Sequence, residues 1–469
     1  MLGAMRQFLA RSGPLRAYHE LRRDFRGVVL VLATGDLVAS FGFSLVFPFL
    51  TIYIVGAFGA TAFEAGLVIA GYSVCSIVSG TAGGWLADRV GRRPVMIVSV
   101  AITGLVVGLM GQAADLAQIA ILTLVLGMID PAFIPAARAA IADVVPEERR
   151  PRAYGLLAVA ASVGWIAGPA IGAGLSRLGY PLLFGVAGVI IAVYALIALR
   201  WLPETRPAGD RAAASAGAGP TATPSAGPTA SASAGPTAAI DPPADGAIPV
   251  GARAPVRPAL VLAAFLPLAV VLHGASFVWV TTLPIEAATN LGVSTDTWGL
   301  LFSLNGLIIV LFQLRIAVAA ERRSKPLMMA LSALLYGGGY ALVAVTTAAP
   351  AIAVAGLAGV IVVVTAGEML LYPLEAAFVS DLAPTASRGR YQGIAYAAGS
   401  LGTALAPPLT GWVLDRAPGP ALWILTAGAA GLCATGLALL ARLAARLPAV
   451  STPVAVPIGG TPGAPDTAA

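Results

Sequence analysis

Residues 27–55 read GVVLVLATGDLVASFGFSLVFPFLTIYIV, with a single charged side chain, Asp36. About 20 apolar residues suffice for a helix to cross a bilayer. The run is therefore long enough to span, and too long for the apolar region of a secretory leader. Six arginines precede it: Arg6, Arg11, Arg16, Arg22, Arg23 and Arg26. The stretch is expected to be retained as a first membrane span, with residues 1–26 as a cytoplasmic N-terminal segment.

The rest of the chain has the same character. Apolar residues make up 58% of the 469, and charged residues only 11%. Mean hydropathy is +0.87. A soluble domain carries about 25% charged residues, and no aqueous fold of this size could hide so much apolar surface. Further apolar runs are predicted at 64–86, 95–113, 116–140, 153–176, 181–202, 259–285, 297–319, 327–348, 351–379, 391–414 and 421–445, making twelve spans with the first. Pro48, Pro169, Pro284, Pro373 and Pro407 fall inside them, as membrane helices tolerate when neighbours satisfy the freed carbonyls.

Charge fixes the expected topology. The even-numbered connections and both tails hold 24 of the 28 Lys+Arg. The odd-numbered connections hold only Arg177 and Arg416, while Arg138 and Arg315 lie near span ends. Both termini are then expected to be cytoplasmic. The net charge of +6 is a topology signal and not a phosphate footprint, so no nucleic acid is expected as a partner. Residues 207–257 are dominated by Ala, Pro, Gly, Ser and Thr. Such composition cannot bury a core, and 203–258 is expected to be a cytoplasmic linker between a bundle at 27–202 and another at 259–445, with a tail at 446–469. Deleting residues 212–240 is expected to leave transport intact, as flux measurements on the shortened protein would check.

Several chemistries are poorly supported. Cys75 and Cys433 lie far apart, and the only histidines are His19 and His273. Neither a disulfide framework nor a metal-ligand cluster follows, and no cofactor is expected. No Gly-x-x-x-x-Gly-Lys-Ser/Thr loop occurs, so ATP hydrolysis is not expected.

The two halves resemble each other without gaps. DPAFIPAARAAIADVVPEERRPRAYG (130–155) lies over EMLLYPLEAAFVSDLAPTASRGRYQG (368–393). This register pairs Asp130 with Glu368, Pro135 with Pro373, Asp143 with Asp381, Arg150 with Arg388 and Pro169 with Pro407. Parallel six-span repeats point to two bundles that rock about a central site.

GGWLADRVGRRP (83–94), between spans 2 and 3, resembles the signature loop of the major facilitator superfamily. Gly84, Asp88, Arg89, Gly91, Arg92 and Arg93 carry the pattern. The second-half copy is eroded: with Pro94 on Pro326, Ala320 stands at Asp88 and Glu321 at Arg89. GWIAGPAIGA (164–173) in span 5 is similar to the antiporter motif through Gly164, Gly168, Pro169 and Gly172. Simple close packing of small residues is the alternative. Span 4 lacks the Arg-x-x-x-Gly pattern of many proton antiporters. The resemblance implies an all-α membrane protein with 12 transmembrane helices in two pseudo-symmetric six-helix bundles, the major facilitator fold. Twelve-span bacterial drug/proton antiporters are the most similar group.

In that superfamily spans 1, 4, 7 and 10 line the cavity. Charge at mid-membrane costs roughly 3 kcal/mol or more, and the costly residues fall on those spans: Asp36, Asp130, His273 and Glu368. Glu368, Tyr372 and Glu375 stand at i, i+4 and i+7 on one helix face. A buried carboxyl can hold a proton and release it when hydrated or paired. These six are the candidate proton and substrate residues, with Phe43 and Phe47 as an aromatic wall beyond Asp36. Structural salt bridges or satisfied packing are the bland alternatives, above all for His273. Arg138 is a gate candidate that could pair with Asp130 or Asp88. The family likeness implies that Asp88 meets the N-terminus of span 11. Asn305, Gln313 and Arg315 are expected to serve packing or the interface, Trp165 and Trp279 a pocket, and Trp298 the interfacial belt.

The expected function is proton-coupled efflux of small amphiphilic compounds from a bacterial plasma membrane by a monomer. Uptake of a sugar, peptide or other metabolite is the first alternative, and a non-transporting sensor the second.

Overall fold

The computed structural model describes residues 27–146, 150–205, 258–321, 323–383, 388–417 and 419–445. The N-terminal segment, nearly all of the linker and the tail lie outside the described residues. Twelve spans emerge. In the first half they are Val28–Phe58, Ala62–Val90, Arg92–Met110, Leu116–Val144, Arg150–Ser176 and Tyr180–Trp201. In the second they are Pro258–Thr289, Thr295–Glu321, Lys325–Ala348, Pro350–Leu382, Arg388–Arg416 and Pro420–Ala444. Among the described residues, ten of these helices are long and apolar enough to cross a membrane by length and composition. Span 11 is the least apolar of the helices, being rich in Gly, Ala, Ser and Thr with two prolines, and span 5 shares its small residues. Their small side chains serve contacts with other helices more than with lipid.

Local sequence explains the ends and breaks. Thr61 and Glu64 form a reciprocal capping box at the start of span 2, which satisfies two orphan donors. Span 4 is interrupted by a 3-10 turn at Asp130–Ala132, where Pro131 removes a donor. Span 7 breaks between Thr281 and Leu283, just before Pro284.

The same helix pairs recur in both halves. Span 1 packs on spans 5 and 6, span 2 on span 4, and span 3 on span 6. Their counterparts pack alike: span 7 on 11 and 12, span 8 on 10, and span 9 on 12. The halves meet chiefly through spans 2 and 11 and spans 5 and 8, again a symmetric pair of contacts. The register of the sequence repeat is therefore also a register of packing.

One face of the molecule is closed. There the Asp415 carboxylate, at the end of span 11, accepts from the backbone N–H groups of Ala62 (2.9 Å) and Phe63 (2.8 Å). An acid from one half thus caps a helix of the other. Arg177 pairs with Asp296 across spans 5 and 8. Trp298 donates to the Pro48 carbonyl at 3.2 Å. Backbones also approach closely: a Cβ on Gly66 would lie 2.5 Å from Pro407 O, and one on Gly299 2.6 Å from Pro169 O. At the opposite face, which bears the loop between spans 2 and 3, the ion pairs Arg92–Asp143 and Lys325–Asp381 stay within one half.

Asp415→Asn is expected to weaken the closed face. Asparagine keeps a capping oxygen but loses the charge–dipole effect, worth about 1 kcal/mol, so opening should become about 5-fold more frequent. Maleimide labelling of Thr410→Cys from that face, with Cys75 and Cys433 replaced, would register the change; an unaltered rate would dismiss the latch.

Candidate functional site

Asp36 lies eight residues into span 1, about 12 Å along the helix, and is half-buried. It faces Tyr194 of span 6 and the charge of Arg138. Span 6 can come this near because residue 35 is glycine: a Cβ there would sit 1.9 Å from the Tyr194 ring. Arg138 thus acts on Asp36, a third option beside the two partners expected from the sequence.

Asp130 opens the 3-10 turn in span 4, with Thr103 Oγ1 at a long 3.5 Å from its carboxylate. Ser99 donates to the Ile129 carbonyl at 2.8 Å. Tyr72 of span 2 is its other polar neighbour. The repeat partner, Glu368, has a better donor. Asn305 Nδ2 donates to Glu368 Oε2 at 2.9 Å and to Thr365 Oγ1 at 3.0 Å. Asn305 was expected to serve packing; only the crossing of spans 8 and 10 reveals this contact.

Two turns beyond Glu368, His273 Nε2 meets Glu375 Oε2 at 2.6 Å. The Tyr372 ring stands edge-on to the imidazole, centroids 5.8 Å apart. Gly399 of span 11 leaves room for the ring on the other side. His273, Tyr372 and Glu375 therefore form one cluster, while Glu368 is held separately by Asn305. Tyr372 is 49% exposed, although it stands in the middle of its span.

An aromatic group closes the space between the halves. Phe43 stacks on Phe47 at 5.0 Å, and both meet Trp165 edge-on. Phe47 approaches Phe277 across the halves at 6.4 Å. Trp165 and Trp279 stack on Phe302 at 6.2 and 4.9 Å. Phe277 is one helical turn from His273, so the aromatic surface adjoins the titratable cluster. Trp298, expected in the interfacial belt, is instead fully buried, because the Pro48 carbonyl offers its indole N–H a partner inside the protein.

The loop at 83–94 is built around Arg92. Its guanidinium reaches Asp88 (2.8 Å), Asp143 (3.2 Å) and the Ala87 carbonyl (2.8 Å). Arg89 lies over the Trp85 ring at 4.3 Å. Glu204 accepts from the backbone N–H groups of Arg92 and Arg93 at 3.1 and 3.2 Å, placing a negative charge at the start of span 3. Gly91 has φ +119°, and a Cβ there would lie 2.4 Å from Glu204 Oε2. Gly84 makes only ordinary contact with Pro135; Gly83 is the tight position, 2.5 Å from Ala132. The Asp88 side chain is 70% exposed and pairs with Arg92; the side chains of 384–389, where its expected contact with the start of span 11 falls, lie outside the described residues.

In span 5, Gly164, Gly168 and Gly172 all face span 1, where added Cβ atoms would lie 2.6 Å from Phe41 N, 1.8 Å from Ser44 Oγ and 2.7 Å from Leu45 O. The buried Ser44 hydroxyl is 3.0 Å from both the Phe41 and Gly164 carbonyls. Pro169 turns its carbonyl to Gly299 of span 8.

Two matched six-helix bundles with titratable groups set on spans 1, 4, 7 and 10 fit a multi-pass membrane transporter. The Major Facilitator Superfamily model matches residues 32–277 and 265–460, and the chain belongs to that family; its relatives are transporters, not enzymes. It is 25% identical over 398 residues to the uncharacterised MFS-type transporter YqjV of Bacillus subtilis (strain 168), covering 84% of this chain and 88% of that protein. It is 26% identical to a Na(+), Li(+), K(+)/H(+) antiporter of Planococcus maritimus, over 83% and 91%. It is 35% identical over 173 residues to the multidrug resistance protein MdtG of Serratia proteamaculans (strain 568), covering 35% and 41%. A crystal structure of a POT family transporter in complex with 5-aminolevulinic acid has TM-score 0.69 at 12% identity, over 88% of this chain and 96% of that one. That likeness concerns the fold.

Proposed function

We propose that the protein is a proton-coupled antiporter that expels small amphiphilic compounds by alternating access. The observation that supports this most is the company kept by the central titratable groups. Glu368 takes its hydrogen bond from a neutral amide, and the neighbours described for the Asp130 carboxylate are the hydroxyls of Thr103 and Tyr72. His273 and Glu375 form a pair that can share a proton. None of these contacts locks a carboxylate to a permanent cation, so each acid can alternate between binding a proton and releasing it. The adjoining aromatic surface suits flat, lipophilic molecules, and cations gain further from the ring faces.

In the sequence the basic residues concentrate in the tails and in the connections on the same side as the loop between spans 2 and 3. The positive-inside rule makes that face cytoplasmic, in the plasma membrane of a bacterium. On that reading the face held shut by Asp415, Arg177–Asp296 and Trp298 is the outer one. The candidate residues all lie on one chain, so the proposed transporter is a monomer.

The test uses liposomes containing the purified protein and a trapped pH dye, challenged with lipophilic cations and neutral drugs. Substrate-dependent proton movement supports the proposal; substrate flux without proton movement points to a facilitator. The Planococcus relative motivates a second reading, exchange of Na+, Li+ or K+ for protons, which the same liposomes test with those salts in place of drugs. Net accumulation of a metabolite by cells under a proton gradient would reverse the assigned direction.

A further inference from the structure

Spans 11 and 12 are neighbours in sequence but scarcely touch, since both pack on others: span 11 on spans 2 and 7, and span 12 on span 9. A crevice of about 310 Å³ remains between them, with span 7 as its floor. Val270, Gly274 and Ala275 form the floor, Gly402, Leu405, Ala406, Leu409 and Val413 one wall, and Leu422, Leu425, Thr426 and Ala429 the other. The void follows from the sequence. Gly402 sits so close to Val270 that a Cβ would lie 2.1 Å from its carbonyl oxygen, and Gly274 and Ala406 add little volume above the contact.

The crevice faces lipid. On span 11 the side toward span 2 carries Pro407, Pro408 and Gly411, the last against Ala62. Leu405 and Leu409 stand on a different side and are exposed, as is Leu425 of span 12. From Gly402 to Val413 the wall runs about 16 Å, which matches one leaflet of a hydrocarbon core about 30 Å thick. At its mouth stands Arg416. It lies seven residues beyond Leu409, hence on the same stripe of the helix, and is stacked at 4.3 Å over the exposed Trp412 ring. Among the described residues Arg416 has no carboxylate partner: its Nη1 donates to the Trp412 carbonyl at 3.4 Å, and its neighbour Asp415 is turned to the start of span 2.

We propose that this crevice is a binding site for a bilayer phospholipid, with one acyl chain between spans 11 and 12 and the headgroup phosphate on Arg416. An apolar slot of leaflet length with a cation at its interfacial end fits that chemistry at both ends. Arg416 offers a forked donor suited to a phosphodiester, and Trp412 is the kind of side chain that sits at headgroup level. The assignment holds for whichever leaflet this end of span 11 occupies. The chain would press on the back of the span 7 turn that presents His273 to the cleft, supporting the contact between spans 7 and 11.

The experiment uses the full-length protein in bilayer nanodiscs doped with a phospholipid bearing a photoreactive group midway along one acyl chain. Labelled positions are read by peptide mass spectrometry. Labelling is expected at Leu409 and Leu425 at several times the level at the lipid-exposed Val193 and Leu196 of span 6. Ala429→Phe, which fills the slot, should remove that excess. Arg416→Gln, a surface change that leaves the helices intact, should raise several-fold the amount of labelled lipid needed to reach it. Labelling equal to that of span 6, or unaffected by both variants, would overturn the site. Displacement by a lipophilic cation but not by excess unlabelled phospholipid would also overturn it and give the crevice to a transported molecule.

Discussion

Glu368→Gln is expected to reduce substrate-driven proton movement to the level of protein-free liposomes, while the protein is still made and inserted. The substitution preserves size and leaves an oxygen to accept from Asn305, whose amide is also held by Thr365. What disappears is the capacity to bind and release a proton. A charge at this depth costs roughly 3 kcal/mol, so the native carboxyl is driven to exchange its proton whenever the surroundings change from dry to wet. The neutral amide has no such drive. Substrate exchange without a gradient should survive, because it needs the cleft but not the proton. Unchanged proton movement in the variant would remove Glu368 from coupling. Loss of thermal stability together with all transport would assign it a structural role with Asn305.

The second large effect is expected from Gly168→Val. A side chain there begins 1.8 Å from Ser44 Oγ and 3.0 Å from Phe41 O. Span 5 cannot retreat, because its other side meets span 8, where Pro169 O already fixes Gly299. Overpacking of a tight contact costs about 3 kcal/mol, and in a bundle of this size each kcal/mol lowers Tm by about 2–4 °C. A loss of roughly 6–12 °C is therefore expected in a thermal unfolding assay. Gly174→Val, at a position with nothing within 4 Å, should be tolerated and serves as the control. Valine is more apolar than glycine, so poorer insertion would not account for the difference. Equal stability of the two variants, with transport lost only in Gly168→Val, would mean that the motif acts on transport and not through packing.

These two residues mark what could be read from the chain and what could not. Asp130 and Glu368 were legible because charge inside a 20-residue apolar run is rare enough to be noticed, and the repeat placed one over the other. Gly164, Gly168 and Gly172 were legible as a face by their spacing of four. The helix that fills that face was not: any of several spans could have done so, and only the folded bundle selected span 1. Asn305 gave no signal, since a lone amide in an apolar span is uninformative until a carboxylate is found opposite. Asp415 gave no signal either, since the span 2 start it caps lies 353 residues away in sequence.

The sequence by itself determined the solvent, the twelve spans, the two matched halves and the positions at which charge is buried. Each rests on local composition or on periodicity, which a chain carries without folding. Only the tertiary structure decided the partners: Arg138 beside Asp36, His273 on Glu375, Trp298 drawn in from the interface, and the latches gathered at one face. Those depend on helix rotation and crossing, which are set by side-chain packing between spans distant in sequence, and no spacing along one strand of sequence records them.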